Sequence, residues 1–218
     1  MKAMILAAGL GTRLKPWTLE HPKALVPVGG VPMLRRVIEK LRDSGFDRIT
    51  VNVHHFADQV KEYLSTNDFG VCVTVSDESD LLLDTGGGIL GAADLLFADD
   101  EPVLIHNVDI LSDADLQKLM ETHKDSGSEA TLLVSDRESS RRLIFDEEGR
   151  LRGWHNSNTG EYRPAGFVPA EGMKAHAFSG IHVVSRSLIY RMKRAGLSGA
   201  FPIMDFYLGN CGDADYRA

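Results

Sequence analysis

The chain has 218 residues, 43% of them apolar and 25% charged, which suits one globular domain with a sizeable core. Its formal net charge of −7 argues against binding the phosphate backbone of a nucleic acid. No apolar run approaches the ~20 residues that span a bilayer, so neither nucleic acid nor membrane is expected as a partner.

The opening run, MKAMILAAG, breaks at Gly9 into a charged loop rather than a cleavage site. It reads as a buried strand, Lys2–Ala8, of a cytoplasmic protein. Pro32–Ser44 has helical spacing, with Leu34, Val37, Ile38 and Leu41 on one face, Pro32 in the first turn and Gly45 as a stop. A strand at Arg48–Val53, a helix at Phe56–Ser65 and a strand at Gly70–Val75 follow. Next come a helix at Gly88–Phe97, a strand at Pro102–His106, a helix at Asp113–His123 capped by Ser112, and a strand at Glu129–Val134. Beyond Val134 the pattern changes. Arg141–Asp146 and Leu151–Trp154 flank the turn Glu148-Gly149 as a hairpin, and the polar stretch His155–Pro169 reads as loop. Ala175–Val184 reads as strand and Ser187–Arg194 as helix. The two cysteines, Cys72 and Cys211, lack zinc-ligand spacing and are expected to be free thiols, with Cys72 in the core.

Repeated strand–helix–strand units imply an α/β fold: an open, mostly parallel, Rossmann-like sheet sandwiched by helices, with a small β-hairpin lobe. Ligands of such sheets sit at the carboxyl ends of the strands. Three loops there carry unusual residues: Gly9–Lys23, Asp84–Gly88 and His106–Asp109. The first is fifteen residues long, where roughly two to six is usual. Gly9 and Gly11 free the backbone to approach a ligand, and their amides can cradle phosphate oxygens. Arg13, Lys15 and Lys23 add three cations. The glycines alone fit a flexible connection equally well. A dinucleotide fingerprint needs glycine where Leu14 stands, and a Walker loop needs Gly-Lys-Ser/Thr.

G-L-G-T-R-L-K-P-W-T followed by P-K-A-L resembles the signature of the sugar-1-phosphate nucleotidyltransferases, the nucleoside-diphosphate-sugar pyrophosphorylases. The similarity covers nearly the whole chain. It implies a nucleoside triphosphate and a sugar 1-phosphate as partners, Mg²⁺ as cofactor, and a monomer or homodimer. Residues 1–135 would form the nucleotide-binding part and 136–218 the sugar-binding part, the latter lacking its usual C-terminal end. By resemblance Ala8, Gly9, Gly11, Thr12 and Arg13 wrap the triphosphate. Arg13 neutralises the leaving pyrophosphate, and Lys23 bridges the α-phosphate and the sugar phosphate.

In L-D-T-G-G-G-I-L, three glycines let the backbone lie flat against a base, although a ligand-free start to a helix fits the same residues. The resemblance assigns Thr85, Gly86 and Gly87 to base recognition. The form T-G-G-G-I is similar to that of uridylyltransferases acting on N-acetylmuramic acid 1-phosphate, which favours UTP. GTP or CTP, with mannose or heptose 1-phosphate, is the nearest alternative. In I-H-N-V-D-I-L, Asp109 emerges from a buried strand as an oxygen ligand for Mg²⁺. Asn107 can bond a ribose or sugar hydroxyl, and Val108 would narrow the site. Asn156, Asn158, Glu161 and Gly180 are the candidates for the sugar, with simple solvation an equal reading of the loop polars. His54 and His55 are adjacent in a strand and point to opposite faces, so they do not share a metal. Relatives carry a second metal-binding aspartate late in the chain, in a context that Asp205, Asp213 and Asp215 do not match. A catalytically silent nucleotide-binding regulator therefore stands as the reading from another class.

Overall fold

The computed structural model describes residues 1–218. Four strands form its parallel centre: β1 (Lys2–Leu6), flanked by β4 (Arg48–Val53) and β6 (Val103–Asn107), with β5 (Cys72–Asp77) beyond β4; a ribbon of β2 (Pro27–Val28) and β3 (Val31–Pro32) stands apart. Side chains alternate between the faces of a strand. Met4 therefore enters one core with Val103 and Ile105, while Ala3 and Ile5 enter the other with Leu104. Burial of both faces is what near-continuous apolar strands require, and helices supply the cover.

On the Ala3/Ile5 face lie α1 (Met33–Asp43), α2 (Ala57–Thr66) and α5 (Leu116–Ser126). The expected stripe of α1, Leu34, Val37, Ile38 and Leu41, is buried. On the Met4 face lie α3 (Asp84–Gly91), α4 (Ala93–Leu96), α6 (Arg186–Arg194) and α7 (Ile203–Asn210). None of these helices is long and apolar enough to cross a membrane.

The other half of the sheet is mainly antiparallel. β7 (Ala130–Ser135), β8 (Arg141–Phe145), β9 (Leu151–Asn156), β10 (Glu161–Arg163) and β12 (Tyr216–Arg217) gather around the long strand β11 (Lys174–Val184). Lys174–His176 of β11 pair with β8, whereas Ile181–Val184 pair with β6. Between them the register on β7 shifts, and Gly180 sits there at φ +77°. A bulge of this kind bends the strand so that it joins both halves.

Several elements differ from expectation. α3 begins at Asp84 rather than Gly88, so the glycine run lies inside a helix. α5 begins at Leu116, where Asp115 accepts the Lys118 N–H at 2.9 Å, so Ser112 is not the cap. The polar stretch 155–169 contains β10, which pairs with β9. α7 and β12 left no readable pattern in the sequence. Cys72 is exposed on the edge strand β5, and Cys211 is the buried thiol.

Candidate functional site

At the carboxyl ends of β1, β4 and β6 opens a crevice of about 600 Å³. The first loop forms one wall in three single turns, Thr12–Leu14, Trp17–Leu19 and Lys23–Leu25, with Pro16 and Pro22 immediately before the second and third. Gly11 adopts φ +64°, and a β-carbon there would lie 2.8 Å from Thr18 Cγ2 and 2.9 Å from Lys23 Cβ. Only glycine meets both demands. At Gly9 a β-carbon would meet nothing, because that residue faces open space. The loop is tied to α2 and to the turn before it: Gln59 Nε2 donates to Glu20 O at 2.9 Å, and His55 Nε2 to Thr18 O at 3.2 Å. His54 bonds Glu78 O instead, at 2.7 Å, so the two histidines serve different partners.

Ala8, Gly9, Gly11, Thr12, Arg13, Lys23, Thr85, Asn107 and Asp109 all line this crevice. A second space of about 370 Å³ adjoins it and adds Leu14 and Met33. Gly11, Thr12, Arg13, Lys23 and Asp109 belong to both. Lys23 donates to Asp109 in a short ion pair, with side chains 17% and 32% exposed. Val108 is buried in the core and does not narrow the opening.

The opposite wall is Leu82, Asp84 and Thr85. Asp84 holds φ +59°, a conformation that aspartate tolerates better than most residues, and its Oδ1 accepts the Thr85 N–H at 2.5 Å. Gly86 and Gly87 do not line the crevice. Their N–H groups donate to Phe201 O at 2.9 and 3.2 Å. A β-carbon at Gly86 would stand 2.4 Å from the Phe201 ring, and one at Gly87 would stand 2.2 Å from Gly199 O. Close packing against residues 199–201 therefore accounts for both glycines. Thr85 Oγ1 in turn accepts the Ile203 N–H at 2.9 Å, and Phe201 N donates to Leu83 O at 3.1 Å. Gly87→Ala is expected to destabilise the fold by about 1–3 kcal/mol, since backbone cannot yield as a side chain does; the melting temperature checks it.

The sugar candidates divide. Gly180 abuts the crevice floor, since a β-carbon there would lie 3.0 Å from Asn107 Nδ2. Asn156 instead accepts the Asn158 N–H at 3.1 Å at the end of β9. Glu161 pairs with Arg163 at 2.7 Å in a separate depression beside Asp205. That depression shares no lining residue with the crevice, and Asn156 lines neither space, so the structure places these two candidates away from the crevice walls.

A cleft of that volume with a cationic wall, a glycine-opened loop and one carboxylate between two spaces suits a polyphosphate with its counter-ion. Residues 2–143 match the family model described as Nucleotidyl transferase. The chain belongs to that family. N-acetylmuramate alpha-1-phosphate uridylyltransferase of Caulobacter vibrioides is 41% identical over 110 residues, which cover 49% of this chain and 45% of the relative. The catalytic subunit beta of mannose-1-phosphate guanylyltransferase from Drosophila pseudoobscura pseudoobscura is 28% identical over 197 residues, covering 88% and 50%. The chain thus spans half or less of the length of these relatives. The crystal structure of HddC from Yersinia pseudotuberculosis superposes with a TM-score of 0.78 at 24% identity, covering 100% of this chain and 88% of that one, which shows the shared fold.

Sequence reasoning gave no role to three features of this site: the side chain of Asp84, the 199–203 clamp and a buried polar pair. That pair is Asn52, on the crevice floor, and Glu78; they are 2% and 5% exposed and bonded at 2.8 Å. The available signal was a lone asparagine within the apolar strand Ile49–Val53.

Proposed function

We propose that this chain transfers the nucleotidyl group of a nucleoside triphosphate to a sugar 1-phosphate and releases pyrophosphate, in the cytoplasm, as a monomer or homodimer. One observation carries the reading: Arg13, Lys23 and Asp109 bound both of two adjoining spaces at the carboxyl ends of the parallel strands. The substrate phosphate oxygen attacks the α-phosphorus in line. The new P–O bond forms as the bond from the α-phosphorus to the bridging oxygen breaks, and pyrophosphate leaves with that electron pair. The attacking group is already an anion, so no side chain need act as nucleophile.

The task left to the protein is to bring two polyanions together, and positioning alone can lower such a barrier by ~7–11 kcal/mol. Arg13 offers a fork of donors to the leaving pyrophosphate, while Lys23 is a compact charge that can face both phosphates. The Lys23–Asp109 pair keeps both groups neutralised and in place before substrate arrives. A phosphate draws off the ammonium and frees the carboxylate for a cation. Magnesium fits this donor set: the Asp109 carboxylate borders both spaces, and Mg²⁺ is usually held by one or two carboxylates plus substrate phosphates. Asp109 would hold it, and the ion would neutralise charge on the phosphoryl oxygens.

The sequence form T-G-G-G-I favours UTP, whereas the guanylyltransferase relative that covers 88% of the chain supports GTP as a second reading. These relatives are named as transferases, so the silent regulator gains nothing from them. Incubation with each triphosphate, a panel of sugar 1-phosphates and MgCl₂ is expected to release pyrophosphate for at least one pair. EDTA is expected to stop that release and restored Mg²⁺ to revive it. Silence across the panel would refute the reading.

A further inference from the structure

Beneath the crevice, one chain of hydrogen bonds connects its two walls. Asn52 Oδ1 accepts the Ala7 N–H at 2.6 Å, where β1 turns into the phosphate loop. Asn52 Nδ2 donates to Glu78 Oε1 at 2.8 Å, and Glu78 Oε2 accepts the Leu83 N–H at 3.3 Å, immediately before Asp84 and Thr85. Direction is fixed throughout. The Ala7 N–H obliges the Asn52 oxygen to face it, which turns the amide nitrogen to Glu78, and the carboxylate accepts at both ends. Gly88 carries the same message: a β-carbon there would lie 2.8 Å from Glu78 Oε1 and 2.9 Å from Asn52 Nδ2. The third glycine of the run is therefore required by this pair. Burying a carboxylate and an amide is costly unless every polar atom is paired, and the three bonds satisfy that demand.

We propose that Asn52 and Glu78 are positioning residues that fix the distance between the phosphate-binding loop and the wall at Asp84–Thr85, so that one nucleotide engages both at once. The proposal rests on the crevice holding a nucleoside triphosphate. A ligand that spans two sites binds far more tightly than either half when the spacing is preset, and loses that gain when the spacing drifts. A ligand confined to one wall is indifferent to it.

The test uses UTP and GTP as spanning probes and inorganic tripolyphosphate as the one-wall probe, each with MgCl₂, by calorimetry. Glu78→Gln sets an amide N–H against either the Leu83 N–H or the Asn52 amide. Asn52→Asp sets carboxylate against carboxylate. Glu78→Gln is expected to weaken the better-bound nucleotide at least tenfold and to leave tripolyphosphate within twofold; Asn52→Asp, which adds a carboxylate at the crevice floor, is expected to weaken the nucleotide at least tenfold and by clearly more than it weakens tripolyphosphate. The double variant N52D/E78Q reverses donor and acceptor: Asp accepts from Ala7 N–H and from the Gln amide, whose oxygen accepts from Leu83 N–H. It is expected to return nucleotide affinity to within about threefold of wild type, which a purely structural defect would not do. If a single variant fails to fold, Glu78→Asp, which keeps the charge and shortens the reach, takes its place with the same expected pattern. The relay is overturned if the single variants bind nucleotide as wild type does, if they lose tripolyphosphate in proportion, or if the double variant is no better than the worse single one. Wild type that binds neither class of probe defeats instead the reading of the crevice.

Discussion

Arg13→Ala and Asp109→Ala are each expected to lower the turnover of pyrophosphate release at least a hundredfold while the melting temperature stays near that of wild type. Removing one donor aimed at developing charge typically costs ~10²–10³ in rate. Arg13 is exposed on the loop and borders both spaces, so little of the fold depends on it. Asp109 holds a part-exposed pair with Lys23, and such pairs contribute about 0–1 kcal/mol to stability. The two residues separate by metal dependence. Arg13→Ala is expected to keep the wild-type Mg²⁺ requirement and lose turnover, whereas Asp109→Ala is expected to need far more Mg²⁺. Lys23→Ala combined with Asp109→Ala should be less damaging than the product of the single effects, because each single change leaves its partner with an unopposed charge. Turnover within threefold of wild type in Arg13→Ala, with the fold intact, would remove the proposed site.

What the sequence disclosed was whatever depends on short-range pattern. The apolar stripe of α1 and the doubly buried β1 followed from periodicity, and the crevice followed from where parallel strands end. Arg13, Lys23, Asn107 and Asp109 meet there because their loops leave neighbouring strands. The residues that the structure places away from the crevice walls depend on contacts distant in the chain. Gly86 and Gly87 read as a surface for a base, yet residues 199–201, more than a hundred positions later, occupy their faces. Three glycines are poor helix formers, at roughly 1 kcal/mol each, so local propensity starts the helix late, and packing against residues 199–201 accompanies its start at Asp84. Cys72 misled in the opposite way. Its strand reads as apolar, but β5 is the sheet edge, and edge position is a property of topology. Asn156 and Glu161 lie in the hairpin lobe, where turn-rich polar sequence gives no hint of which side faces the cleft.

Acid is expected to destabilise this protein steeply from about pH 6.5 downwards, through histidines buried as neutral groups. His106, His123 and His182 are 1–2% exposed. Burial lowers the pKa of His106, and brings His123 to about 4 and His182 to about 3. Their partners have no charge to offer a proton. His123 bonds the hydroxyls of Thr131 and Ser185 at 2.9 and 2.8 Å, and His182 bonds the buried Tyr207 hydroxyl at 2.8 Å. An unfolded histidine protonates near pH 6.5, so as pH falls the unfolded chain takes up protons that the fold refuses. Stability is complete above pH 6.5 and declines until each folded pKa is reached, at about 1.4 kcal/mol per pH unit for each group. His123 and His182 together give about 3 kcal/mol per unit between pH 6 and 4, a large fraction of the ~5–15 kcal/mol that holds a domain folded. Glu78 works against this trend, because burial raises its pKa and the fold takes its proton first. One carboxylate cannot cancel two histidines. Urea midpoints at pH 7.5, 6.0 and 5.0 should therefore fall progressively with little change in m. His182→Phe is expected to be less stable than wild type at pH 7.5 yet to show a shallower decline, by about one proton. A midpoint that stays level from pH 7.5 to 5.0 would mean that these imidazoles accept protons within the fold, and the account of their burial would be wrong.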